Sequence, residues 1–246
     1  MKPSRALKLR HILLVMMLAV APPVNSGDTV DSDDLVQRSG LWFKKFTNVP
    51  FTGATTGKIQ TTYRDGVKHG AFVRYHENGQ LKYKGVYKEN RRHGPWEAYY
   101  KNGQLAAKRN FNEGKVYGPA STYHENGRLK MKGAYRGGEL HGLVEQYHKN
   151  GRLKHKFNYK DGKQHGPEEW YHENGQLLSK VTYKDQKSHG PWEAYYESGQ
   201  LNGKGAYRDG KQHGPEEWYR ENGQLEEKRA FRDGKRHSSW KYFHKN

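Results

Sequence analysis

The sequence predicts an all-β protein, an elongated antiparallel array of β-hairpins in 24-residue units behind an N-terminal signal segment. Three observations carry that prediction. The first is a period. His-Gly or its equivalent recurs at His69, His93, Tyr117, His141, His165, His189, His213 and His237, every interval being 24 residues without insertion. A period of about 20–50 residues marks repeat architectures, in which neighbouring units bury one another. The second is turn chemistry. Asn-Gly stands at 78–79, 102–103, 126–127, 150–151, 174–175 and 222–223, with Ser198-Gly199 in the remaining unit. Asn-Gly is the strongest short hairpin signal, because a type I′ turn needs φ > 0 at two successive residues. The third is composition. Leu, Ile, Val and Phe make up about 16% of 246 residues, below the ~20% at which high charge implies disorder. Yet 18 Tyr and 6 Trp are present, and disordered chains are poor in aromatics. An architecture that stacks aromatics without a thick aliphatic core satisfies both facts. With only two Ile, an α/β enzyme built on Val/Ile-rich strands is excluded, and zero Cys excludes disulfides, thiolate zinc sites and Cys nucleophiles.

The elements follow in order. Residues 1–26 hold Lys2, Arg5, Lys8 and Arg10 with no acid, then an apolar run from Ile12 to Ala21, then small residues ending at Ser26. That is the layout of a secretory signal. Ten helical residues span ~15 Å, half of a ~30 Å hydrocarbon core, so a spanning anchor is disfavoured against cleavage after Ser26. An uncleaved, membrane-associated tail is the alternative. Without this segment the formal charge falls from +18 to +14. Residues 27–40, with Asp28, Asp31, Asp33 and Asp34, read as a flexible acidic linker, and residues 41–246 as the repeat array. Residues 41–53 keep the aromatics but lose the spacing, as a cap does. Each unit then holds two short strands, such as Pro191–Tyr196 and Leu201–Arg208. A second turn follows at Asp161-Gly162, Asp209-Gly210 and Asp233-Gly234. The final strand, Ser239–His244, includes Trp240 and closes the C-terminal cap.

Side chains on a strand alternate between faces. Leu81, Leu105, Leu129, Leu153, Leu177, Leu201 and Leu225 form one ladder. Tyr63, Tyr87, Phe111, Tyr135, Tyr159, Tyr183, Tyr207 and Phe231 form another, an even number of residues on and so expected on the same face. Tyr75, Tyr99, Tyr123, Tyr147, Tyr171, Tyr195, Tyr219 and Phe243 line the partner strand. Aromatic stacking between adjacent units takes the place of an aliphatic core.

The recurring pattern is His-Gly-Pro-Trp-Glu-Ala-Tyr-Tyr-Glu-Ser-Gly-Gln-Leu at 189–201, followed by Lys-Gly-Ala-Tyr-Arg-Asp-Gly-Lys-Gln-His-Gly at 204–214. It resembles MORN-variant repeats, over about residues 41–246. Bacterial proteins built of such repeats are grouped with the YwqK-type antitoxins. The resemblance implies an elongated sheet of hairpins, no catalysis, no cofactor and a protein partner, a toxin among the candidates. An export signal is a departure from a cytoplasmic antitoxin; it implies a bacterial protein in the periplasm or outside the cell, as an antitoxin-like binder or cell-envelope adaptor. Eukaryotic MORN repeats are associated with phospholipids, which reaches this variant spacing only as analogy.

Enzyme chemistry finds little support in the residues. Two strands per unit put successive copies of a position about 10 Å apart. Zinc ligands lie ~2.0–2.1 Å from the metal, so neighbouring His of the ladder cannot share one ion. Those His read instead as turn residues bonded to backbone. Copies of one carboxylate, Glu97, Glu145, Glu169, Glu193 and Glu217, offer no division between acid and base. No G-x-S-x-G, P-loop or H-E-x-x-H motif is present, and nothing points to a specific nucleic acid. Only the N-terminal cap is irregular enough to hide a non-repetitive polar cluster. The most informative ladder is Lys84, Lys108, Lys132, Lys156, Lys180, Lys204 and Lys228, expected from parity on the opposite face from the Leu and Tyr of its strand. A regular row of cations suits an anionic lipid surface, an envelope polymer or an acidic protein face, and otherwise serves solubility. Trp96, Trp170, Trp192 and Trp218 are candidate contact anchors that packing between units also explains.

Overall fold

The computed structural model describes residues 27–237 and the backbone of residues 241–242. The expected signal segment 1–26, Trp240 and Phe243 lie outside the described residues. Strands pair with their sequence neighbours in one long antiparallel meander. The repeating pair is represented by Leu81–Lys88 and Arg91–Tyr99, and again by Leu177–Lys184 and Lys187–Tyr195. The second strand of each unit begins about four residues before the Pro at which the sequence suggested it. Among the described residues no pairing joins the first strand to the last, so the sheet is an open array.

The segment expected as a flexible linker is built into the fold. Asp28–Asp31 pairs in parallel with Gly53–Thr56, and Leu35–Arg38 pairs antiparallel with Leu41–Lys44. The reason lies between the acids. Val30 and Leu35 bury against Phe51, Tyr63 and Trp42, while the aspartates stay in water. The Asp31 carboxylate accepts the Asp33 N–H at 2.9 Å, which caps the 3-10 turn Ser32–Asp34. Acid content alone conceals this alternation.

The type I′ geometry expected at Asn-Gly belongs instead to the other turn of each unit. At the Asn-Gly turns only glycine is left-handed, with φ +80° at Gly79 and +81° at Gly127. The His76 N–H donates to the Gln80 carbonyl and the Gly79 N–H to the His76 carbonyl, a three-residue loop ending in a glycine bulge. The type I′ pair is the other turn, where Asp161 and Gly162 have φ +49° and +73°, and Glu89 and Asn90 have +51° and +61°.

His-Gly is not a turn at all. It lies inside the second strand, where the register slips by two residues. Lys84 is paired with Glu97, whereas Val86 is paired with His93. Gly94 at the slip has φ +66°, a conformation costly for any residue with a Cβ. The Pro that follows is tolerated there because a bulge needs no ladder N–H from it. A second, one-residue slip pairs each ladder leucine directly with the tyrosine of the preceding strand, as in Tyr75 with Leu81 and Tyr147 with Leu153. Even spacing to Tyr87 therefore does not place leucine and that tyrosine on one face.

Adjacent units are clasped at both edges. The Asn78 side chain caps its own loop by accepting the Gln80 N–H at 3.2 Å and donates to the Lys101 carbonyl of the next loop at 2.9 Å. Asn102, Asn126, Asn150 and Asn174 repeat the contact to a carbonyl 23 residues on. His76, His124, His148 and His172 place Nε2 on the carbonyl of a tyrosine in the next unit, and the Tyr100 and Tyr196 hydroxyls donate to the same position. At the opposite edge the Gly162 N–H donates to the Leu140 carbonyl, and Gly210 to Ser188.

Candidate functional site

One face of the sheet carries the lysine ladder, and the register slip determines what the lysines meet. In a regular two-residue hairpin Lys84 would face Pro95. The slip moves Glu97 there instead. Lys84 lies 2.8 Å from Glu97, Lys132 2.5 Å from Glu145, Lys156 3.4 Å from Glu169, Lys180 2.8 Å from Glu193, and Lys204 3.0 Å from Glu217. Where the acid is replaced by Ser121, Lys108 turns back to Glu97 at 4.0 Å; at the far end Lys228 shares Glu217 at 2.8 Å. Every lysine of the ladder is thus paired with a carboxylate. The neighbouring tyrosines add to each pair, the hydroxyls of Tyr99, Tyr171, Tyr195 and Tyr219 donating to the glutamate two residues before.

These contacts set the charges. Hydrogen bonds from Lys228, Tyr219 and Lys204 hold the Glu217 carboxyl down at about 2. The Lys132 and Lys180 contacts lower Glu145 and Glu193 and are themselves raised by them. The ladder thus sets five glutamates against seven lysines, Glu97 and Glu217 each serving two, which leaves it little net charge to offer a ligand.

Between this ladder and the two-residue turns runs an exposed apolar stripe. Ala71, Pro95, Pro119, Leu143, Pro167, Pro191 and Pro215 recur at the 24-residue period, all exposed. Opposite them stand Val86, Asn110, Ala134, Asn158, Thr182, Ala206 and Ala230, a row of apolar and polar residues. At Pro191, Ala206 and Pro215 the stripe deepens into an open groove of about 320 Å³, rimmed by Glu193, Lys204 and Glu217 and floored by Trp192 and Gly205.

The four tryptophans named by the sequence lie on the other side of the strands from the lysines. Trp96 is 6% exposed, stacks on Phe72 at 5.3 Å and donates to the Val86 carbonyl. Trp170 and Trp218 donate to Glu168 and Glu216. Trp192 is half-buried against Trp218 at 5.4 Å.

Two buried polar clusters sit on this aromatic side, at equivalent positions two units apart and far from the N-terminal cap where an irregular cluster was expected. His155 and Glu168, each 7% exposed, meet at 2.6 Å. Trp170 and Gln164 donate to the same carboxylate, and the His155 ring stacks on Trp170 at 3.5 Å. Burial raises the Glu168 carboxyl, but the bonds from His155, Trp170 and Gln164 prevail and hold it below the usual range. In the second cluster Glu216 accepts from Trp218 at 2.7 Å and Gln212 at 2.8 Å, while Arg229 bridges Glu216 and Glu227. These groups are satisfied by one another, which is how a buried polar network stabilises a core rather than presenting reactive atoms. The repeated His face turn carboxylates, His141 Nδ1 lying 3.3 Å from Asp161 and His189 Nδ1 3.4 Å from Asp209. Among the described residues no three potential metal ligands converge.

No curated protein matches the chain. The MORN repeat variant family matches six segments, residues 68–89, 92–113, 140–161, 164–185, 188–209 and 212–233. Each matched segment spans one hairpin closed by a three-residue glycine-bulge loop, and together they cover more than half of the sequence; the chain belongs to the MORN repeat variant family.

Proposed function

We propose that this protein is an exported, non-catalytic repeat scaffold that binds a protein partner, in the manner of a YwqK-type antitoxin or a cell-envelope adaptor. The observation that carries the reading is the exposed stripe from Ala71 to Pro215. Proline, leucine and alanine face water at one repeated position while the lysines beside them are neutralised by glutamate. Contiguous exposed apolar surface with a polar rim suits protein contact. A repeat array holds such a surface rigid over its whole length, and family membership supports a scaffold that binds partners. Neutralised lysines argue against the ladder itself as the seat of anionic lipid or polymer binding.

The test is capture from the native envelope by the wild-type protein and by Leu143→Asp with Ala206→Asp, both placed on the stripe. The reading expects a defined protein retained at moderate salt by the wild type and lost by the variant. Equal retention by both would remove the stripe from the account.

A further inference from the structure

The charge left over after the ladder is neutralised is not spread evenly. It concentrates where each hairpin enters and leaves its two-residue turn. Lys160 is directly paired with Lys163, Lys184 with Lys187, and Arg208 with Lys211. The next turn repeats the pattern with Arg232 and Lys235. All of these are exposed, and no carboxylate lies within ion-pair distance of them among the described residues. Like charges placed directly across a strand pair destabilise a sheet. The fold does not require them, because the same position holds Arg136 opposite Glu139 and Asn112 opposite Lys115 nearer the N-terminus, and where Lys88 stands opposite Arg91 the guanidinium lies 3.9 Å from Glu113. Nor does solubility, since the lysine ladder next to it is solvated and yet matched by acids.

Each of these turns sets one aspartate against two cations, so a net positive charge remains at every turn. Asp161, Asp185, Asp209 and Asp233 each lie 3.3–3.6 Å from an imidazole of the preceding unit. Four consecutive turns therefore line up eight cations along one edge, two per unit, at a repeat of about 10 Å set by two strand spacings. Lys160 lies four residues from Lys156 on one strand, which places the row on the same face as the ladder and the stripe.

We infer that this edge, over residues 160–235, is a binding site for a linear polyanion lying across the strands, distinct from the apolar stripe assigned to a protein partner. A flat anionic membrane suits it less, because the outermost residues of the turns are the aspartates, which such a surface would meet first. A polymer strand lying along the face reaches the cations one residue further in.

The probe is fluorescein-labelled heparin, titrated against the full chain at rising salt. Two variants carry the same loss of charge. One replaces Lys160, Lys163, Lys184 and Lys187 by Gln, and the other replaces Lys132, Lys156, Lys180 and Lys204 by Gln. The turn variant is expected to weaken heparin binding at least tenfold and the ladder variant no more than about twofold, with wild-type affinity falling steeply with salt. The turn variant should also melt no lower than the wild type, since it removes repulsion, so a loss of binding with an intact melting curve is loss of the site. Glu139→Lys, which extends the row by a like-charged pair at Arg136, should tighten binding. Equal losses in the two variants, unchanged binding by the turn variant, salt-independent binding, or tighter capture by phosphatidylglycerol vesicles than by heparin would each overturn the assignment.

Discussion

Near residue 96 the layer between adjacent units is aromatic. Phe72 and Trp96 stack at 5.3 Å, Tyr87 meets both edge-on, and Phe111 closes the cluster. At the equivalent place in later units stand Glu168 and Glu216, buried to a similar degree and held by His155, Trp170, Arg229 and Trp218. Between them Val144, fully buried, fits beside Gly133 and Phe157. One backbone thus accepts rings, a branched aliphatic and an ion pair at a single repeated position. What the regions share is the frame: bulges at His-Gly, asparagine clasps 23 residues apart, and Lys–Glu–Tyr sets. Volume is balanced locally inside that frame. A Cβ at Gly85 would fall within the Trp96 indole, and one at Gly205 would lie 2.7 Å from Trp192.

If this contrast is correct, truncation in the aromatic region should cost most. Trp96→Ala is expected to lower stability by about 3–5 kcal/mol in urea unfolding, because it empties a site ringed by Phe72, Tyr87 and Phe111. Next comes the ionic region, where Glu168→Ala should cost about 3 kcal/mol by leaving His155 buried without its partner. The double change His155→Phe with Glu168→Val should recover most of that loss, since apolar groups of similar volume replace buried pairs at little cost. If the double variant stayed as unstable as the single one, the ionic layer would be required by the frame and the two regions would not be interchangeable.

Acid sensitivity distinguishes the shared frame from both cores. Glu217 ionises at about 2 in the folded protein against an ordinary 4.5. A folded value below the unfolded one contributes stability that is fully present above pH ~4.5 and is lost as pH falls towards 2. Urea midpoints should therefore fall between pH 5 and 2, and Glu217→Gln should flatten part of that slope. The smallest effect expected is at a clasp. Asn126→Ala removes a 3.0 Å bond to the Lys149 carbonyl and the cap on Arg128, at about 1 kcal/mol, read as faster amide exchange at the two loops it joins.

The period, the meander and the positions of both turns in each unit were legible in the sequence, because glycine, asparagine and aspartate at fixed intervals have few conformational alternatives. The slip at His-Gly was not. A left-handed Gly94 two residues out of register cannot be distinguished from a turn glycine by spacing, and that slip decides that Lys84 meets Glu97. The lysine and glutamate ladders were each visible, while their union was hidden. His155 and Glu168 escaped for the same reason, lying 13 residues apart on different strands and meeting through paired neighbours. The linker was misread because Val30 and Leu35 are outnumbered by acids that never enter the core.

The central claim is an open array that presents one continuous face, and small-angle scattering tests it most directly. Eighteen strand positions at ~4.8 Å extend up to about 80 Å, so length alone contributes a radius of gyration near ~23 Å. A compact chain of this size would give ~17–18 Å. The account predicts a value at or above the first figure with the pair-distance tail of a rod. A value near the second would mean that the hairpins close on themselves, and neither the stripe nor the turn-edge row could form the continuous surface assigned to it.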